Sequence, residues 1–303
     1  MRINRILVGM ALLLMAFAMC GSFVYAQEKE KPVTTEETAK AEAKETAAEE
    51  AKEPAIKPTC DFSMTFFSKY VWRGYELSKG SMVMFPNVTV GLDAGKYGAF
   101  GINMWGDYDM KYKGAGDQHD TATWWETDWV LTYANSIPFS EDSSLDCTFG
   151  WINYDVDGAE DQELFFIFGL TNPQINKIVS PSISIWRGVM YDPAATYINL
   201  SFAHSFAMDS LSPKTKGWSV DLATTFGHYN IPSSEPGADY SAWHDGFISG
   251  GLTIPVNDWC SLAPSINYSF PLTDKADDFL KAVSFDGNSS RFVYGGVAFK
   301  MSF

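Results

Sequence analysis

The chain has 303 residues, of which 15% are aromatic, and its 37 Asp and Glu outnumber its 22 Lys and Arg, so that the formal net charge at pH 7 is −15. This acidic balance argues against a nucleic-acid partner, because surfaces that bind nucleic acid are basic. After residue 26 no stretch approaches 18 consecutive apolar residues, which excludes a predicted transmembrane helix there.

The first 26 residues have the pattern of a secretory signal peptide. Two arginines precede an apolar stretch over 6–19, and the small residues that follow lead to a cleavage site at Ala26. Two alternatives remain. One is a membrane anchor, for which the apolar stretch is short, and the other is a lipoprotein signal ending at Cys20, where Met19 is bulkier than such sites usually tolerate. We therefore expect an exported protein.

Residues 27–58 differ in composition from all that follows. Between 28 and 58 there are nine Glu, six Lys and no aromatic residue, and such a segment cannot bury enough apolar surface to fold alone. High helix propensity over 38–52, ended by Pro54, allows a transient helix. The prediction is a disordered or transiently helical periplasmic linker, with docking to a periplasmic partner as the alternative.

From residue 59 to residue 303 the hydrophobic pattern has a period of two, which is typical of β-strands with unlike faces. In the segment 82–94, for example, Val88, Val90 and Leu92 alternate with polar residues or glycine. Twelve such segments are present, with no helical pattern between them. They are 60–74, 82–94, 99–110, 124–134, 145–155, 163–170, 180–188, 196–206, 218–227, 245–254, 260–270 and 292–303.

A soluble β-sandwich and a transmembrane barrel both produce this alternation. The polar faces carry small and charged residues suited to a wet lumen, and strands of 9–11 residues in even number are what a spanning barrel needs. Aromatic residues near predicted strand ends fit the headgroup depth of a bilayer; they are Tyr70, Trp72, Trp125, Trp151, Trp218 and Trp259. We predict an all-β fold, a transmembrane antiparallel up-and-down barrel of about twelve strands with both termini periplasmic.

The predicted connections alternate in length, as barrels of this kind require. The longer, outside connections are 74–81, 111–122, 156–162, 188–195, 228–245 and 271–290, and the periplasmic turns are 95–97, 135–143, 171–177, 207–216 and 255–259.

The last strand, FVYGGVAFKMSF, ends on an aromatic residue with apolar residues at alternate positions before it. This ending resembles the C-terminal signal of bacterial outer-membrane proteins, and the resemblance rests on Phe303, Met301, Phe299 and Val297. It implies the outer membrane of a Gram-negative bacterium as the location, with outer-membrane lipid around the barrel. It also implies the barrel assembly machinery as a partner of this strand.

The segment 68–92, SKYVWRGYELSKGSMVMFPNVTVGL, is similar to the first hairpin of the TorF-type putative porins. The matching positions are Tyr70, Arg73, Gly74 and Pro86, and the match extends over about 45 residues, through the third strand. The acidic linker is not part of the family pattern. The resemblance implies a small outer-membrane barrel that passes solutes.

Charged residues concentrate on the inward face of the predicted strands. The inward acids are Asp61, Asp93, Asp107, Asp109, Glu126, Asp128, Asp146, Glu163 and Asp221, against the cations Lys69, Arg73 and Lys300. Six of these residues are predicted to line a pore near its outer mouth, namely Lys69, Arg73, Asp107, Asp109, Glu126 and Asp128. A ring of acids favours cations, whereas salt bridges among the same residues would plug the lumen. Both interpretations remain open.

The main alternative to a channel for small polar solutes is a hydrolase in the barrel wall. His204 and Ser205 lie on opposite faces of one strand and cannot form a catalytic pair. His244 and Asp245 fall on the predicted loop 228–245, where we expect a solvated histidine. No nucleophile motif is present, so we predict no catalytic residue, no metal and no cofactor.

Overall fold

The computed structural model describes residues 56–78, 81–112, 121–191, 193–233, 239–285 and 287–303. The predicted signal peptide, the predicted linker up to residue 55 and most of the connection predicted at 111–122 lie outside the described residues.

Fourteen strands are present in the described ranges. They are β1 (Lys57–Phe67), β2 (Val71–Trp72), β3 (Tyr75–Glu76), β4 (Val83–Asp93), β5 (Ala99–Tyr112), β6 (Thr121–Ser140), β7 (Ser143–Val156), β8 (Ala159–Thr171), β9 (Ser180–Gly188), β10 (Thr196–Ala207), β11 (Ser219–Ile231), β12 (Tyr240–Asn257), β13 (Cys260–Pro271) and β14 (Phe292–Ser302). Twelve of them form a closed antiparallel barrel, in which β1 pairs with β4 on one side and with β14 on the other. The predicted barrel of twelve strands is confirmed.

The alternation of the sequence sorts side chains between the outside and the inside of the barrel. Large apolar side chains are exposed on the outer surface, among them Val90, Leu92, Phe100, Ile102, Leu131, Leu222 and Val293. On the inner face polar side chains bond across strands, as where Asn103 donates to Thr89 at 2.8 Å. A soluble sandwich would bury the apolar set instead, so the exposed apolar surface separates the two predicted architectures.

The two ends of the barrel carry different connections. The terminal rim, where β1 begins and β14 ends, holds the connections 94–98, 141–142, 172–179, 208–218 and 258–259. Within the described ranges the opposite end, here called the far rim, holds 68–78, 81–82, 157–158, 189–191, 193–195, 232–233, 239, 272–285 and 287–291.

Several strands run further than the alternation indicates. The connections predicted at 135–143 and 156–162 shrink to two residues each, 141–142 and 157–158. At the second of these Asp157 and Gly158 both have positive φ, 49° and 87°, which is the backbone of a tight hairpin turn that needs no longer loop. Strand pairing likewise extends into the predicted loop 228–245 from both sides.

In the part of the chain that the structure describes, two short α-helices occur where no helix was predicted. They are α1 (Pro173–Asn176) and α2 (Asp274–Val283), the latter within the loop predicted at 271–290. Thr273 caps α2 by accepting a hydrogen bond from the Ala276 N–H, and acidic residues occupy its first turn, both of which stabilise a helix start. No helix in the described part of the chain is long and apolar enough to cross a membrane.

The prediction that the first strand runs through to Gly74 is wrong. β1 ends at Phe67, and the chain leaves the barrel wall before the hairpin of β2 and β3. Tyr70 and Trp72, predicted at headgroup depth on the outside, therefore lie in this hairpin. At its other end β1 begins at Lys57, two residues before the predicted start of the barrel at 59.

Candidate functional site: a hairpin inside the barrel

The β2–β3 hairpin occupies the lumen at the far-rim end. Its residues Trp72 and Arg73 line a cavity together with side chains from the barrel wall. Those wall residues come from both sides of the barrel and include Trp105, Tyr154, Trp186, Tyr197, Phe247 and Tyr294. The hairpin contacts the wall directly at β7, β10 and β12, through Tyr154, Tyr197 and Asp245. It therefore lies within the barrel rather than above it.

The tip of the hairpin is a two-residue turn formed by Arg73 and Gly74. Their φ angles are 44° and 87°, the pair of positive values that a type I′ turn requires. Gly74 also lies against β12, because a Cβ atom placed on it would be 2.7 Å from the Cβ of Asp245. Glycine is therefore required there for both its backbone conformation and its lack of a side chain.

Arg73 spans the lumen to β8 and forms two hydrogen bonds with Glu163. The Nη1–Oε1 distance is 2.8 Å and the Nη2–Oε2 distance is 2.6 Å, and both side chains are more than nine-tenths buried. The guanidinium also lies 4.2 Å from the ring centre of Trp72 and 4.6 Å from that of Tyr197. A two-point ion pair between aromatic rings holds the hairpin tip in one orientation.

His244 holds the backbone of the same tip. Its Nε2 atom lies 3.1 Å from the carbonyl oxygen of Arg73, and its Nδ1 atom lies 2.6 Å from the hydroxyl of Tyr240. A carbonyl oxygen only accepts, so Nε2 carries the hydrogen and Nδ1 accepts from the tyrosine. His244 is fully buried on β12, so the expectation of a solvated loop histidine is wrong; strand pairing extends to Tyr240 and draws it inside.

The connection between β13 and β14 covers the hairpin from the far rim. The Phe285 N–H donates to the Glu76 carbonyl at 3.0 Å, and the Glu76 N–H donates to the Ser284 hydroxyl at 3.3 Å. Leu280 of α2 is completely buried, and its methyl groups would lie 3.1–3.2 Å from a Cβ on Gly74. Helix α2 thus forms a lid over the hairpin.

The acids predicted near the mouth come together beneath the hairpin. Asp107 and Glu126 are paired across β5 and β6, and Asp128 lies one inward position further along β6. Tyr70 packs against Trp105 and donates its hydroxyl to Glu126 at 3.0 Å. We call Asp107, Glu126 and Asp128 the acid cluster; all three are buried.

Within the acid cluster hydrogen-bond donors are scarce. The Oδ1 atoms of Asp107 and Asp128 are buried and have no hydrogen-bond partner among the described residues. The neighbouring Asp109 is different, because it accepts from the Ser81 hydroxyl at 2.6 Å and the Lys111 N–H at 3.1 Å. Two unpartnered carboxylate oxygens in one buried cluster are unusual, since such groups normally have a partner.

Of the cations predicted near the mouth, Arg73 lies at the hairpin tip and Lys69 lies just before the hairpin, rather than on the wall of β1. Lys69 forms a 2.8 Å ion pair with Glu76 inside the same connection, and Arg73 pairs with Glu163. The six residues predicted to line a pore therefore lie in one region of the barrel. Arg73 belongs to the hairpin and Lys69 to the segment before it, whereas the four acids lie on the strands β5 and β6 of the wall. Their role in conduction stays a prediction.

Tyr197 and Asp245 are site residues that the alternation did not single out. The Tyr197 hydroxyl donates to Asp245 at 3.0 Å, and both residues border the hairpin. Tyr197 and Asp245 lie on inward positions of β10 and β12. Only charged residues within the predicted strands were considered as site residues, and including aromatic residues and the segment 228–245 would have identified both.

The hairpin separates two cavities. The deep cavity has a volume of about 480 Å³ and reaches down to Asn199 and Thr225. The rim cavity has about 270 Å³ and borders Val156 and Gly188 at the far rim. Tyr70, Trp72 and Tyr154 line both. These shared side chains lie where the two cavities adjoin, at the level of the hairpin.

No group of three or more His, Cys, Asp or Glu with the arrangement of a metal site occurs in the ranges that the structure describes. The ring centres of His204 and Phe206 lie 4.4 Å apart in an edge-to-face arrangement, while Ser205 donates to Asp221 on the opposite face. These contacts give neither residue the neighbour that a catalytic dyad needs.

Comparisons with known proteins add solved barrels of similar size but no sequence relative. No family model and no curated protein matches the chain, so the resemblance to TorF-type porins rests on the residues of the first hairpin alone.

Solved structures that resemble the fold include the KdgM porin (8% identity, 81% of this chain and 99% of that one, TM-score 0.43). The NanC porin gives 9% identity, 80% and 98% coverage and a TM-score of 0.44. Pseudomonas aeruginosa OpdL has 9% sequence identity and a TM-score of 0.37, and the match covers 82% of this chain and 98% of that one. The assignment of a barrel rests on the strand pairing itself.

Proposed function

We propose that this protein is an outer-membrane channel for small polar solutes which prefers cations and whose lumen is closed by the β2–β3 hairpin in the state described above. The observation that carries the proposal is the closed barrel with apolar side chains exposed outside and polar ones inside. In water such an exterior would be unfavourable, whereas in a bilayer it is the side that contacts lipid, and closure leaves no strand edge unpaired.

The preference for cations follows from the charge of the interior. Seven carboxylates are buried among the described residues, namely Glu76, Asp107, Asp109, Glu126, Asp128, Glu163 and Asp245. Arg73 and Lys69 neutralise two of them through the ion pairs with Glu163 and Glu76. An excess of acids along a narrow path concentrates positive ions and repels negative ones.

A second candidate is a structural or binding barrel that never conducts. It is favoured by the number of contacts that fix the hairpin: the pair Arg73–Glu163, the bond from His244 to the Arg73 carbonyl, and the cover provided by α2. A barrel-wall hydrolase has no such support, and we assign the protein no catalytic role.

The orientation and assembly of the barrel are parts of the same proposal. The far rim would face outward and both termini inward to the periplasm, where residues 27–58 could reach a periplasmic partner. The C-terminal strand, including Phe299, Met301 and Phe303, would be read by the barrel assembly machinery. In the barrel Phe303 is backbone-bonded to Cys60 at 2.9 and 3.2 Å and stacks on Trp259.

A swelling assay on proteoliposomes tests the channel. Refolded protein should admit small polar solutes, with the rate falling as solute size rises, and cationic solutes should enter faster than anionic ones of equal size. Liposomes that admit none of these solutes would favour the closed structural barrel, and faster entry of anions would contradict the charge assignment.

A further inference from the structure

The deep cavity has the dimensions of a ligand site. Its volume of about 480 Å³ lies within the range of small-molecule pockets, and its wall combines several aromatic rings with a few charged groups. The kind of ligand depends on which of those charged groups are free to contact it. This inference rests on the proposed function as a solute channel.

Most charged groups around the deep cavity already have partners. Arg73 directs both terminal nitrogens to Glu163, and Asp245 accepts from Tyr197. Asp128 lines the deep cavity, and its Oδ1 atom is buried with no hydrogen-bond partner among the described residues. A buried carboxylate oxygen without a donor costs free energy, which a positively charged donor would offset.

Aromatic rings flank Asp128 on both sides. In the strand register Asp128 is opposite Trp105 on β5 and opposite Tyr154 on β7. All three side chains line the deep cavity. A carboxylate between two rings suits an ammonium group attached to an apolar body, because the rings attract the cation through their faces and pack against its carbon atoms.

We propose that the deep cavity binds a small organic ammonium compound, with its charged nitrogen at Asp128 and its apolar part between Trp105 and Tyr154. An anion has no free partner there, since the guanidinium of Arg73 is committed to Glu163. A neutral solute could pack on the rings but would leave the Asp128 carboxylate without a counter-charge.

The test measures binding by fluorine NMR on the whole refolded protein in detergent at pH 7 and low salt. The probes are 4-fluorobenzylamine, 4-fluorobenzyl alcohol and 4-fluorobenzoate, which share one ring and differ in charge. The amine should bind saturably, the alcohol at least tenfold more weakly, and the benzoate not at all. Asp128→Asn should weaken binding of the amine at least tenfold.

Asp146→Asn is the matched control, because Asp146 is a carboxylate on β7 that accepts from Ser136 and Thr171 away from the cavity. It should bind the amine like the wild type. Equal binding of amine and alcohol would mean that the Asp128 carboxyl meets no cation, and would overturn the proposal. Preferred binding of benzoate, or unchanged binding in Asp128→Asn, would do so too.

If Asp128→Asn does not refold, the relative affinities of the three probes for the wild type and for Trp105→Leu still test the proposal. Trp105→Leu should bind the amine several-fold more weakly than the wild type does. The binding measurement in detergent does not depend on ion flux through the barrel. If the amine fails to bind but solutes enter proteoliposomes, the proposed ligand is rejected and the proposed channel function is retained.

Discussion

Arg73, at the tip of the β2–β3 hairpin, is joined to Glu163 of the barrel wall by two hydrogen bonds of 2.8 and 2.6 Å. The two residues are 90 positions apart in the chain, and both are buried. This contact decides whether the hairpin stays in the barrel, because a buried charge that loses its partner is strongly destabilised.

Replacing Glu163 by Gln should open the channel. Leaving a buried arginine unpaired costs about 3–5 kcal/mol, which corresponds to about 100-fold or more in the ratio of open to closed channels. The open probability in planar bilayers should rise accordingly. Asp146→Asn is the control, since Asp146 is a carboxylate on β7 near the terminal rim that accepts from Ser136 and Thr171, away from the hairpin and from α2, and should change little. Equal open probability in wild type and Glu163→Gln would refute the role of the pair.

Gly74→Ala should release the hairpin without unfolding the barrel. The new Cβ would lie 2.7 Å from Asp245 in a residue with φ of 87°, which combines a clash with backbone strain of about 1–3 kcal/mol. Gly287→Ala is matched to it, because φ there is also positive, 65°, but no atom lies within 4 Å of the added methyl group. Conductance should rise only in Gly74→Ala, while both barrels keep the wild-type melting temperature. A rise in both variants would show that backbone strain in either far-rim connection raises conductance, and would contradict a specific role for the close contact between residue 74 and Asp245.

Ion selectivity should depend on the four acids near the hairpin. In the Gly74→Ala background, neutralising Asp107, Asp109, Glu126 and Asp128 to Asn or Gln should move the reversal potential toward zero. Changing Arg73 to Gln should make the channel more selective for cations. The preference should shrink near 1 M salt, where the Debye length falls to roughly 3 Å. Anion preference before neutralisation would contradict the placement of these acids along the path.

Assembly should depend on the final residue. Phe303→Ser should lower the amount of heat-modifiable barrel recovered from the outer membrane several-fold, because it removes the terminal aromatic residue and its stacking on Trp259. Phe139→Ser is the comparison, since Phe139 is a similarly exposed aromatic residue on β6 near the same rim. Equal recovery of the two variants would show that Phe303 has no special role.

The barrel could be predicted because a period of two over twelve segments leaves few other architectures. The alternation at Val90, Leu92, Phe100 and Ile102 is a local property, and the structure keeps these side chains on the outer face. The strand ends around 157–158 could have been predicted more closely, because an Asp-Gly pair between alternating segments is a strong local signal for a two-residue hairpin turn. Asp157 and Gly158 form such a turn between β7 and β8.

The hairpin could not be predicted from the same pattern. Alternation continues past Phe67 through Tyr70 and Trp72, so the segment has the period of a strand. What turns it inward are contacts with residues distant in the chain, such as the bond from Tyr70 to Glu126, 56 positions away. The pair Arg73-Gly74, which suits a tight turn, was the one local signal available.

The most direct test of the account is the single-channel conductance of the wild type compared with a variant in which residues 70–77 are replaced by Gly-Ser-Gly. Both proteins would be refolded and measured side by side in planar bilayers at 0.1 M salt. We predict brief, rare openings for the wild type and a steady, larger, cation-preferring conductance for the variant. Identical conductance in the two, or a folded variant that never conducts, would contradict a channel closed by this hairpin.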